Sequence, residues 1–470
     1  MNEYEDTYFF SRDEALKVAT RKNRFDNDEK LQVCYYDGEK IESNLVNLIH
    51  LPVDNLLEEL AMGRFRLPTK VDLNGLELSS SVKIEITTHF NMSLFQVREY
   101  RNQYNQSYLK TSQNATLDFN EPLRFYLSAN SETQVMQYVS KAIAQTLQDA
   151  GYEVFYDLYY GVEDRNCLKN ISAFNPHATI NINHFNNAYI SHECFNFVWF
   201  QDPMAILYDA SVLLPRERDY VFSLLKEFDL PLLKKGVTPK RQGFCINKKD
   251  FKLHAEIERK KKIVFVGSSY AHIIPQDKDV ADAIEYSAKA FGDGEYFGEE
   301  FVDEVSTRFF LNKDFVLTKL LPFIVRDISV LWLCGIESEY EIEIYGHGWE
   351  LYDSVKPFYK GPLAYGEEIS KVYSGATYSF APHQNYVLQQ RVLEASACGC
   401  ASIVYNPLEP NEPKIYEESL EYYKTKQDLL DILNATNAKE KSFDRLLSEN
   451  SYEHFAQEIL ETIKKVTHER

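Results

Sequence analysis

Two residues in the last quarter of the chain, Arg391 and Glu394, combine a chemistry and a spacing that could serve a ligand. They are three positions apart in a segment with helical periodicity, so their side chains share one face of the helix. An arginine can bind phosphate oxygens, and a carboxylate can accept hydrogen bonds from both hydroxyls of a ribose. Residues 383–388 lead into the N-terminus of this helix, where free amides and the helix dipole favour a diphosphate. The alternative interpretation of the pair is an ordinary ion pair on the protein surface.

Glycines at the ends of predicted strands favour the same kind of site. Gly346, Gly348 and Gly361 carry no side chain, so the backbone at these positions can approach a ligand closely. The small residues at 395–399 allow the helix to pack close to a sheet. Together these features predict a site for a nucleoside diphosphate.

Polar residues also follow two predicted strands in the first half of the chain. His184 comes after residues 178–183, and Asp202 comes after residues 196–200. Either side chain could act as a general base toward an acceptor hydroxyl. The alternatives are a structural role at the strand end for His184 and a turn or cap role for Asp202. His347, between two glycines, is a further candidate from the second half of the chain.

The elements that must hold these residues alternate between strands and helices from residue 122 onward. Such alternation predicts parallel βαβ units with helices on both faces of each sheet. Two runs follow one another, so we predict an α/β fold of two Rossmann-like domains whose ligand sites face each other across a cleft. The predicted strands are 123–127, 152–158, 178–183, 196–200, 263–266, 341–345, 377–381 and 401–405, and the predicted helices are 135–150, 218–236, 315–334, 367–374, 387–398 and 451–466.

The composition argues against several classes of partner. Lys and Arg number 51 against 71 Asp and Glu, a net charge of −20, so we expect neither nucleic acid nor anionic lipid as a general partner. The acidic N-terminus, the lack of an apolar stretch long enough for a membrane span, and seven cysteines without a C-x-x-C pair predict a cytoplasmic protein. No metal is predicted. The Asp-x-Asp pattern at 26–28 follows no strand, that at 277–279 marks a helix start, and His192-Glu193 lacks a second histidine at metal spacing.

Several segments, taken in order, resemble one family of enzymes. Residues 391–400 (RVLEASACGC) are similar to the R-x-x-E-x-x-A-C-G helix of group 1 glycosyltransferases. The closest resemblance is to the branch that includes the CgeB-like spore-maturation proteins, and it covers residues 122–410. The other similar segments are 199–203 (WFQDP), 218–222 (RDYVF), 265–268 (FVGS), Arg326 with 344–349 (IYGHGW), Gly361 with Tyr365 and 372–373 (VY), and 381–382 (AP).

The resemblance implies a GT-B fold with a nucleotide-sugar donor in the second domain, and uridine is the commonest base in the family. It implies that Glu394 binds the ribose, that Arg391 and the turn at 267–268 face the diphosphate, and that Tyr365 and Gly366 lie near the base. The donor is a substrate, and no cofactor is expected. The implied donor site comprises Gly267, Ser268, Gly346, His347, Tyr365, Gly366, Tyr386, Arg391 and Glu394.

The chain departs from the family pattern at Tyr386, eight residues before Glu394. The larger family often carries a second carboxylate there that serves the donor sugar, so the sugar and the stereochemical course stay open. We expect a metal-independent glycosyltransferase that modifies a protein or glycan acceptor destined for the cell surface. The alternatives are a non-catalytic scaffold or carbohydrate-binding protein on the same fold, and a sugar-nucleotide epimerase. Homo-oligomer assembly also stays open.

The predicted domain bounds follow changes in the pattern of strands and helices along the chain. Residues 1–118 mix a helical stretch at 55–63 with an alternating, strand-like segment at 82–88, so they are predicted to be an α+β extension of unknown role. An acceptor domain over 119–250 and a nucleotide-sugar domain over 251–445 follow. A terminal helix within 446–470 is expected to pack back on the N-terminal domain.

Overall fold

The computed structural model describes residues 7–9, 33–35, 48–50, 70–73, 79–130, 134–159, 166–202, 204–209, 213–409, 412–435 and 441–468. The chain divides into two compact units. Unit 1 comprises residues 1–242 with 459–470, and unit 2 comprises residues 243–458. The Asp-x-Asp pattern at 26–28 and the helix predicted at 55–63 lie outside the described residues. No helix in the described ranges is both long enough and apolar enough to cross a bilayer.

Unit 1 opens with a small parallel sheet and one long helix, α1 (Ser80–Gln113). The side chain of Ser79 caps this helix by accepting a hydrogen bond from the Val82 amide at 3.4 Å. The strand-like segment predicted at 82–88 is therefore wrong. Val82 and Ile84 are both exposed, so their alternation with polar residues marks no buried sheet face. The sheet strands are β1 (Thr7–Phe9), β2 (Val33–Tyr35), β3 (Leu48–His50) and β4 (Lys70–Asp72), in the order β3-β2-β1-β4.

The main sheet of unit 1 has six parallel strands in the order β10-β9-β8-β7-β5-β6. Every residue of β7 and β8 is buried, as expected for a parallel sheet covered on both faces. The strands are β5 (Arg124–Asn130), β6 (Glu153–Tyr159), β7 (Ala178–Ile182), β8 (Phe195–Phe200), β9 (Asp219–Ser223) and β10 (Lys240–Arg241), and the helices are α2 (Gln134–Asp149), α3 (Asn166–Phe174), α4 (Ala205–Tyr208) and α5 (Asp229–Lys234).

The helix predicted over residues 218–236 is only partly correct. Its first half forms the strand β9, which pairs with β8, and only its second half forms the short helix α5. The run of Tyr220, Val221 and Phe222 has high strand propensity, and the neighbouring strand β8 lies ready to pair with it. The predicted stop at Gly236 is confirmed, because this glycine has a φ of +78° two residues after the helix ends.

Unit 2 contains a second six-stranded parallel sheet, in the order β13-β12-β11-β14-β15-β16. Counted within the unit, this is the 3-2-1-4-5-6 order of a Rossmann sheet, and the order reverses between β11 and β14. The α/β prediction with two Rossmann-like sheets is confirmed. The strands are β11 (Lys260–Val266), β12 (Glu341–Tyr345), β13 (Tyr359–Gly361), β14 (Ala376–Ala381), β15 (Ala401–Tyr405) and β16 (Leu420–Tyr423).

One of the helices of unit 2, α8, is irregular. It covers residues 313–334 as a continuous run in which α-helical turns alternate with two wider π-helical segments, Val316–Leu320 and Ile324–Ile328. Pro322 lies between them, and a proline removes a backbone donor and crowds the preceding turn, which explains the local widening. The other helices of unit 2 are α6 (Lys278–Gly292), α7 (Glu299–Arg308), α9 (Glu367–Ser374), α10 (Gln390–Ala397), α11 (Lys426–Asn434) and α12 (Asp444–Glu449). The last helix, α13 (Tyr452–His468), begins in unit 2 and ends in unit 1.

Both faces of the unit 2 sheet are packed. One face buries Ile263, Phe265 and Ile344 against helices α6 to α8, and Trp349 joins this core. The other face buries the aliphatic residues of α9 and α10 against the same sheet. The two helices that carry the predicted site residues are therefore held by a dense apolar layer, which fixes the position of their N-termini relative to the strand ends.

Candidate functional site

Glu394 lies in the second turn of helix α10 and is fully buried. Its Oε2 accepts a hydrogen bond from Nη1 of Arg391 at 2.5 Å. Its Oε1 has no hydrogen-bond partner within the described part of the chain. Burial raises the pKa of the Glu394 carboxyl, and the charge and hydrogen bond of Arg391, with smaller contributions from the side chains of Tyr365 and Gln390, offset only part of that rise. A buried carboxylate oxygen without a partner is costly, so it marks a place where a ligand hydroxyl can bind.

Arg391 connects Glu394 to an exposed aromatic ring. The guanidinium carbon of Arg391 lies 5.6 Å from the centre of the Tyr365 ring. Burial alone would lower the pKa of Arg391, but the charge of Glu394 raises it, so the guanidinium stays charged at neutral pH. Tyr365 is 46% exposed and packs edge-on against Phe251 at 5.4 Å between ring centres. A flat ring beside a cation offers a surface on which a nucleobase can stack.

Gly366 follows this ring and begins helix α9. Its φ of +96° is a conformation that residues with a Cβ rarely adopt. The glycine therefore sets the angle at which the chain turns from the Tyr365 loop into the helix. The predicted pair of Tyr365 and Gly366 is thus held beside Arg391 both by this backbone turn and by the contacts of the Tyr365 ring with Arg391 and Phe251.

Helix α10 begins three residues later than predicted. Val387 and Leu388 are buried in a bent, non-helical segment, and Gln389 precedes the helix without a capping hydrogen bond from its side chain. The Val392 amide donates to the Gln389 carbonyl at 2.9 Å, whereas the amides of Gln390 and Arg391 have no acceptor within the helix or in the Gln389 side chain. In the loop before it, burial and the nearby charge of Arg326 lower the pKa of His383 to about 3, so this imidazole is neutral at physiological pH. Gln384 is also buried, and its Oε1 has no partner within the described residues.

The turn after strand β11 is bonded directly to the turn after strand β12. Gly346 has a φ of +129°, and a Cβ there would lie 2.2 Å from the carbonyl oxygen of Gly267. Only glycine allows the two turns to approach this closely. The amide of His347 donates to Ser268 Oγ at 3.3 Å, and the indole of Trp349 donates to the Gly267 carbonyl at 2.7 Å. The predicted residues Gly267, Ser268, Gly346 and His347 are thus brought together.

Two charged residues of helix α8, which the sequence analysis did not place in the site, join this pair of turns. Asp327 is fully buried, and its carboxylate accepts from Ser269 Oγ at 2.5 Å, from the Tyr270 amide at 3.0 Å and from the Tyr352 hydroxyl at 2.8 Å. Burial raises the pKa of Asp327, and these three donors counteract the rise. The carboxylate therefore fixes the turn after β11 as a rigid element.

Arg326 is the second of these residues and lies next to Asp327 in the π-helical segment. Its Nη1 donates to the Ser268 carbonyl at 3.3 Å, and its guanidinium carbon lies 3.9 Å from the centre of the Tyr270 ring. Its Nε has no partner within the described residues. Burial lowers the pKa of Arg326, and the charge of Arg391 lowers it further, so the two arginines lie within electrostatic range of each other. A signal was present in the sequence, since two charges interrupt an otherwise apolar helix.

These residues gather at the point where the strand order of unit 2 reverses. The turn at 267–270 follows β11 and the loop at 382–389 follows β14, and these two strands are neighbours in the sheet. Open α/β sheets bind their ligands outside the carboxyl ends of such strands. The site offers two arginines, unpartnered helix amides and a buried carboxylate oxygen. This combination suits a ligand that carries both a diphosphate and a pair of hydroxyls.

Tyr386, the position where the family often has a carboxylate, is half-buried. Its ring packs edge-on against Phe244 at 6.0 Å between ring centres, and its carbonyl accepts from Nε2 of Gln389 at 3.2 Å. The phenol can make packing contacts and single hydrogen bonds, but it carries no charge at neutral pH. The structure therefore places no carboxylate at this position of the loop.

The two predicted base candidates lie in unit 1, at the ends of neighbouring strands β7 and β8. Asp202 is exposed, and its Oδ2 accepts from Nδ2 of Asn183 at 2.9 Å. Asn183 has a φ of +63°, and its side-chain oxygen accepts from the Gln201 amide at 2.7 Å, so it ties the two strand ends together. Burial lowers the pKa of His184, which is therefore neutral and able to accept a proton at neutral pH.

Comparison with known proteins matches part of the chain to one family. The family model described as "Glycosyl transferase-like" matches residues 326–461, a stretch that includes Arg326, His347, Arg391 and Glu394. A search among curated proteins found no match to the sequence.

Solved structures with a similar chain trace share little sequence with this protein. Sucrose-phosphate synthase from Thermosynechococcus elongatus is 11% identical, with 74% of this chain and 100% of that chain covered and a TM-score of 0.44. AviGT4, a glycosyltransferase involved in avilamycin A biosynthesis, is 11% identical, with 74% and 99% covered and a TM-score of 0.41. HepE from Anabaena, in complex with UDP-glucose, is 10% identical, with 73% and 100% covered and a TM-score of 0.41. At these scores the likeness carries no argument about what this chain binds.

Proposed function

We propose that the protein is a metal-independent glycosyltransferase of the GT-B type. It transfers a sugar from a nucleotide-diphosphate donor, with a UDP-sugar favoured, to a protein or glycan acceptor destined for the cell surface. The match of residues 326–461 to a glycosyl transferase-like family supports the reaction class. The resemblance of the motifs along residues 122–410 favours the CgeB-like branch and a uridine base.

The observation that carries the proposal is the unpartnered Oε1 of Glu394. This oxygen is buried, and no hydrogen-bond donor among the described residues replaces its lost hydration. A ribose offers two adjacent hydroxyls, and both can donate to one carboxylate. Since the side chains of Arg391 and Tyr365 lie over this site, we expect one of them to move when the nucleotide enters. Relief of the unpartnered oxygen then contributes to nucleotide affinity.

The diphosphate would lie between the N-terminus of α10 and the turn after β11. The first amides of the helix, Arg391 and Arg326 supply donors and positive charge there. In the reaction the bond between the sugar anomeric carbon and the diphosphate oxygen breaks, and the electron pair leaves with the nucleotide. Fixed amides and arginines stabilise this growing negative charge, so the proposed mechanism needs no metal ion.

The acceptor would bind in unit 1, where Asp202 or His184 takes its proton. The acceptor hydroxyl oxygen attacks the anomeric carbon, and its proton passes to the base. Asp202 is exposed at a strand end, and its hydrogen bond to Asn183 orients it. His184 is the second candidate because its lowered pKa keeps the imidazole neutral.

Two other functions on the same fold are kept as competing proposals. A non-catalytic scaffold or carbohydrate-binding protein is favoured by Tyr386, which packs against Phe244 where a donor-binding carboxylate would be expected. A sugar-nucleotide epimerase needs several carboxylates at the sugar. Of the acids near the site, Asp327 is already held by three donors, so this function is less well supported.

The test is a turnover assay across a panel of nucleotide sugars, combined with thermal unfolding in the presence of each nucleoside diphosphate. Saturation at about 100 times the dissociation constant should stabilise the folded protein by about 2.7 kcal/mol, a rise of several degrees in Tm. Donor hydrolysis with this stabilisation supports the transferase. Stabilisation without turnover supports the non-catalytic alternative. Neither effect with any nucleotide would refute both enzyme functions.

A further inference from the structure

A groove of about 800 Å³ lies on unit 1, apart from the residues discussed so far. Its walls are the short helices α4 and α5, which begin soon after strands β8 and β9 end. Leu207 and Leu213 are buried in it, while Tyr208 and Leu230 are 57% and 59% exposed. The other lining residues are Asp209, Lys226, Glu227, Pro231, Lys234 and Lys235. A groove of this volume is the size of a site for one small ligand rather than a flat protein interface.

The rim of the groove is basic, although the chain as a whole carries a net charge of −20. Three lysines face two acids among the lining residues. Lys235 donates to the Asp209 carbonyl at 3.0 Å and lies 3.8 Å from its carboxylate. Lys226 and Lys234 are exposed on the same rim. The exposed Leu230 side chain beside these ammonium groups fits a ligand that is apolar along one part and negatively charged at another.

The position of the groove links it to the proposed acceptor side. Asp202 and helix α4 belong to the same connection after strand β8, since the helix starts only three residues beyond Asp202. The groove and the candidate base therefore lie at the carboxyl-end edge of one sheet, where α/β proteins bind ligands.

We propose that this groove binds the apolar chain and the acidic head group of an amphiphilic acceptor. The glycan acceptor would then be presented on a single alkyl or isoprenoid chain with a carboxylate or phosphate nearby. The apolar chain packs on Leu207, Leu213 and Leu230, and the acid binds Lys226 and Lys234. The role of this ligand as the acceptor rests on the proposed function, whereas the binding of an anionic amphiphile in the groove does not.

The test is calorimetric binding of two matched amphiphiles to the full chain, both below their micelle-forming concentrations. Decyl glucuronide carries a carboxylate, and decyl glucoside has the same chain and a neutral sugar. We expect the glucuronide to bind more tightly. Charge reversal by Lys226→Glu with Lys234→Glu should weaken it by about tenfold and leave the glucoside unchanged. Leu230→Gln should weaken both by several-fold.

The matched control is Lys141→Glu with Lys169→Glu, which makes the same charge change at exposed positions of unit 1 away from the groove. It should leave both affinities unchanged. Equal binding of the two amphiphiles, no binding of the glucuronide, or equal effects of the two double variants would each overturn the proposal.

A second titration with UDP separates this proposal from the proposed function. Binding of UDP without binding of the glucuronide would refute the groove proposal and leave the transferase proposal intact. Binding of the glucuronide without binding of UDP would refute the nucleotide site and leave the groove as a site for an anionic amphiphile. The groove variants should bind UDP like the unmodified protein, because Lys226, Lys234 and Leu230 lie in unit 1 and the donor residues lie in unit 2.

Discussion

Replacement of Glu394 by glutamine tests the central feature of the site with little change in shape. A hydrogen bond to a charged group is worth about 1.5–3 kcal/mol, roughly twice the value for a neutral acceptor. Two ribose hydroxyls on a neutral amide should therefore lose about 2 kcal/mol in total, or roughly 30-fold in UDP affinity. Glu394→Ala removes both acceptors and should weaken UDP by more than about 100-fold.

Glu394→Gln should not destabilise the protein when no ligand is added. Burial raises the pKa of Glu394 above its ordinary value of 4.5, so the folded protein holds this proton more tightly than the unfolded chain does. Stability contributed by this group is therefore lost as the pH rises from 4.5 through the raised pKa, and ionisation of the buried carboxyl lowers the stability of the folded protein. Glutamine removes that cost, and Arg391 is open enough to turn toward water. The UDP affinity of the unmodified protein should instead fall as the pH is lowered, because acidification protonates Glu394.

The assay is calorimetry with UDP and its 2′-deoxy analogue, combined with thermal unfolding without ligand. The deoxy analogue should bind the unmodified protein more weakly than UDP. This difference in affinity should be smaller in Glu394→Gln, because the removed hydroxyl and the removed charge belong to the same hydrogen bond. Glu285→Gln, an exposed glutamate on helix α6, is the matched control. A Glu394→Gln variant that binds UDP within threefold and keeps the full deoxy effect would refute the assignment of Glu394 to the ribose.

Four further substitutions test the scaffold and the chemistry. Gly346→Ala would place a Cβ 2.2 Å from the Gly267 carbonyl, so it should lower the free energy of unfolding by about 3 kcal/mol or more in denaturant titrations. Gly361→Ala, with open space around it at a φ of +92°, should cost only about 1–2 kcal/mol. Arg326→Ala should weaken UDP by about tenfold or more and leave uridine binding unchanged, and an equal loss for both ligands would assign Arg326 to the scaffold. Asp202→Asn should abolish sugar transfer followed by mass spectrometry while UDP affinity stays within twofold; an active variant would exclude Asp202 as the base.

Much of the fold was predictable because buried parallel strands leave a plain pattern. Strand β15 coincides with the predicted residues 401–405, since a short apolar run between glycine-rich and proline-rich segments has few other interpretations. The errors arose where local pattern and tertiary contacts disagree. Residues 82–88 alternate as a strand does, yet they extend a 34-residue helix whose buried contacts, Leu94 and Val97, lie further along the chain.

The candidate site was predictable only in part. The spacing of Arg391 and Glu394 indicated that they share a helix face, but not that they bond to each other and leave one oxygen of Glu394 unpartnered. Asp327 and Ser269 are 58 residues apart in sequence, and no local pattern reports their hydrogen bond. The same holds for the clash that would follow a side chain at Gly346, because it depends on a second turn. Contacts of this kind arise only from the packing of the whole unit.

The π-helical turns of α8 have a consequence for how this chain tolerates changes in length. Each residue of a helix advances the direction of the next side chain by about 100°. Each wide turn accommodates roughly one extra residue, so the two segments together set the phase in which Arg326 and Asp327 meet the turn at 268–270. Removal of one residue between 316 and 323 would restore a regular pitch and keep the composition of the helix nearly intact. Because the wide turn absorbs that residue, Arg326 and Asp327 would keep their direction, whereas removal of one residue from a regular α-helical turn would rotate them by about 100° away from their partners.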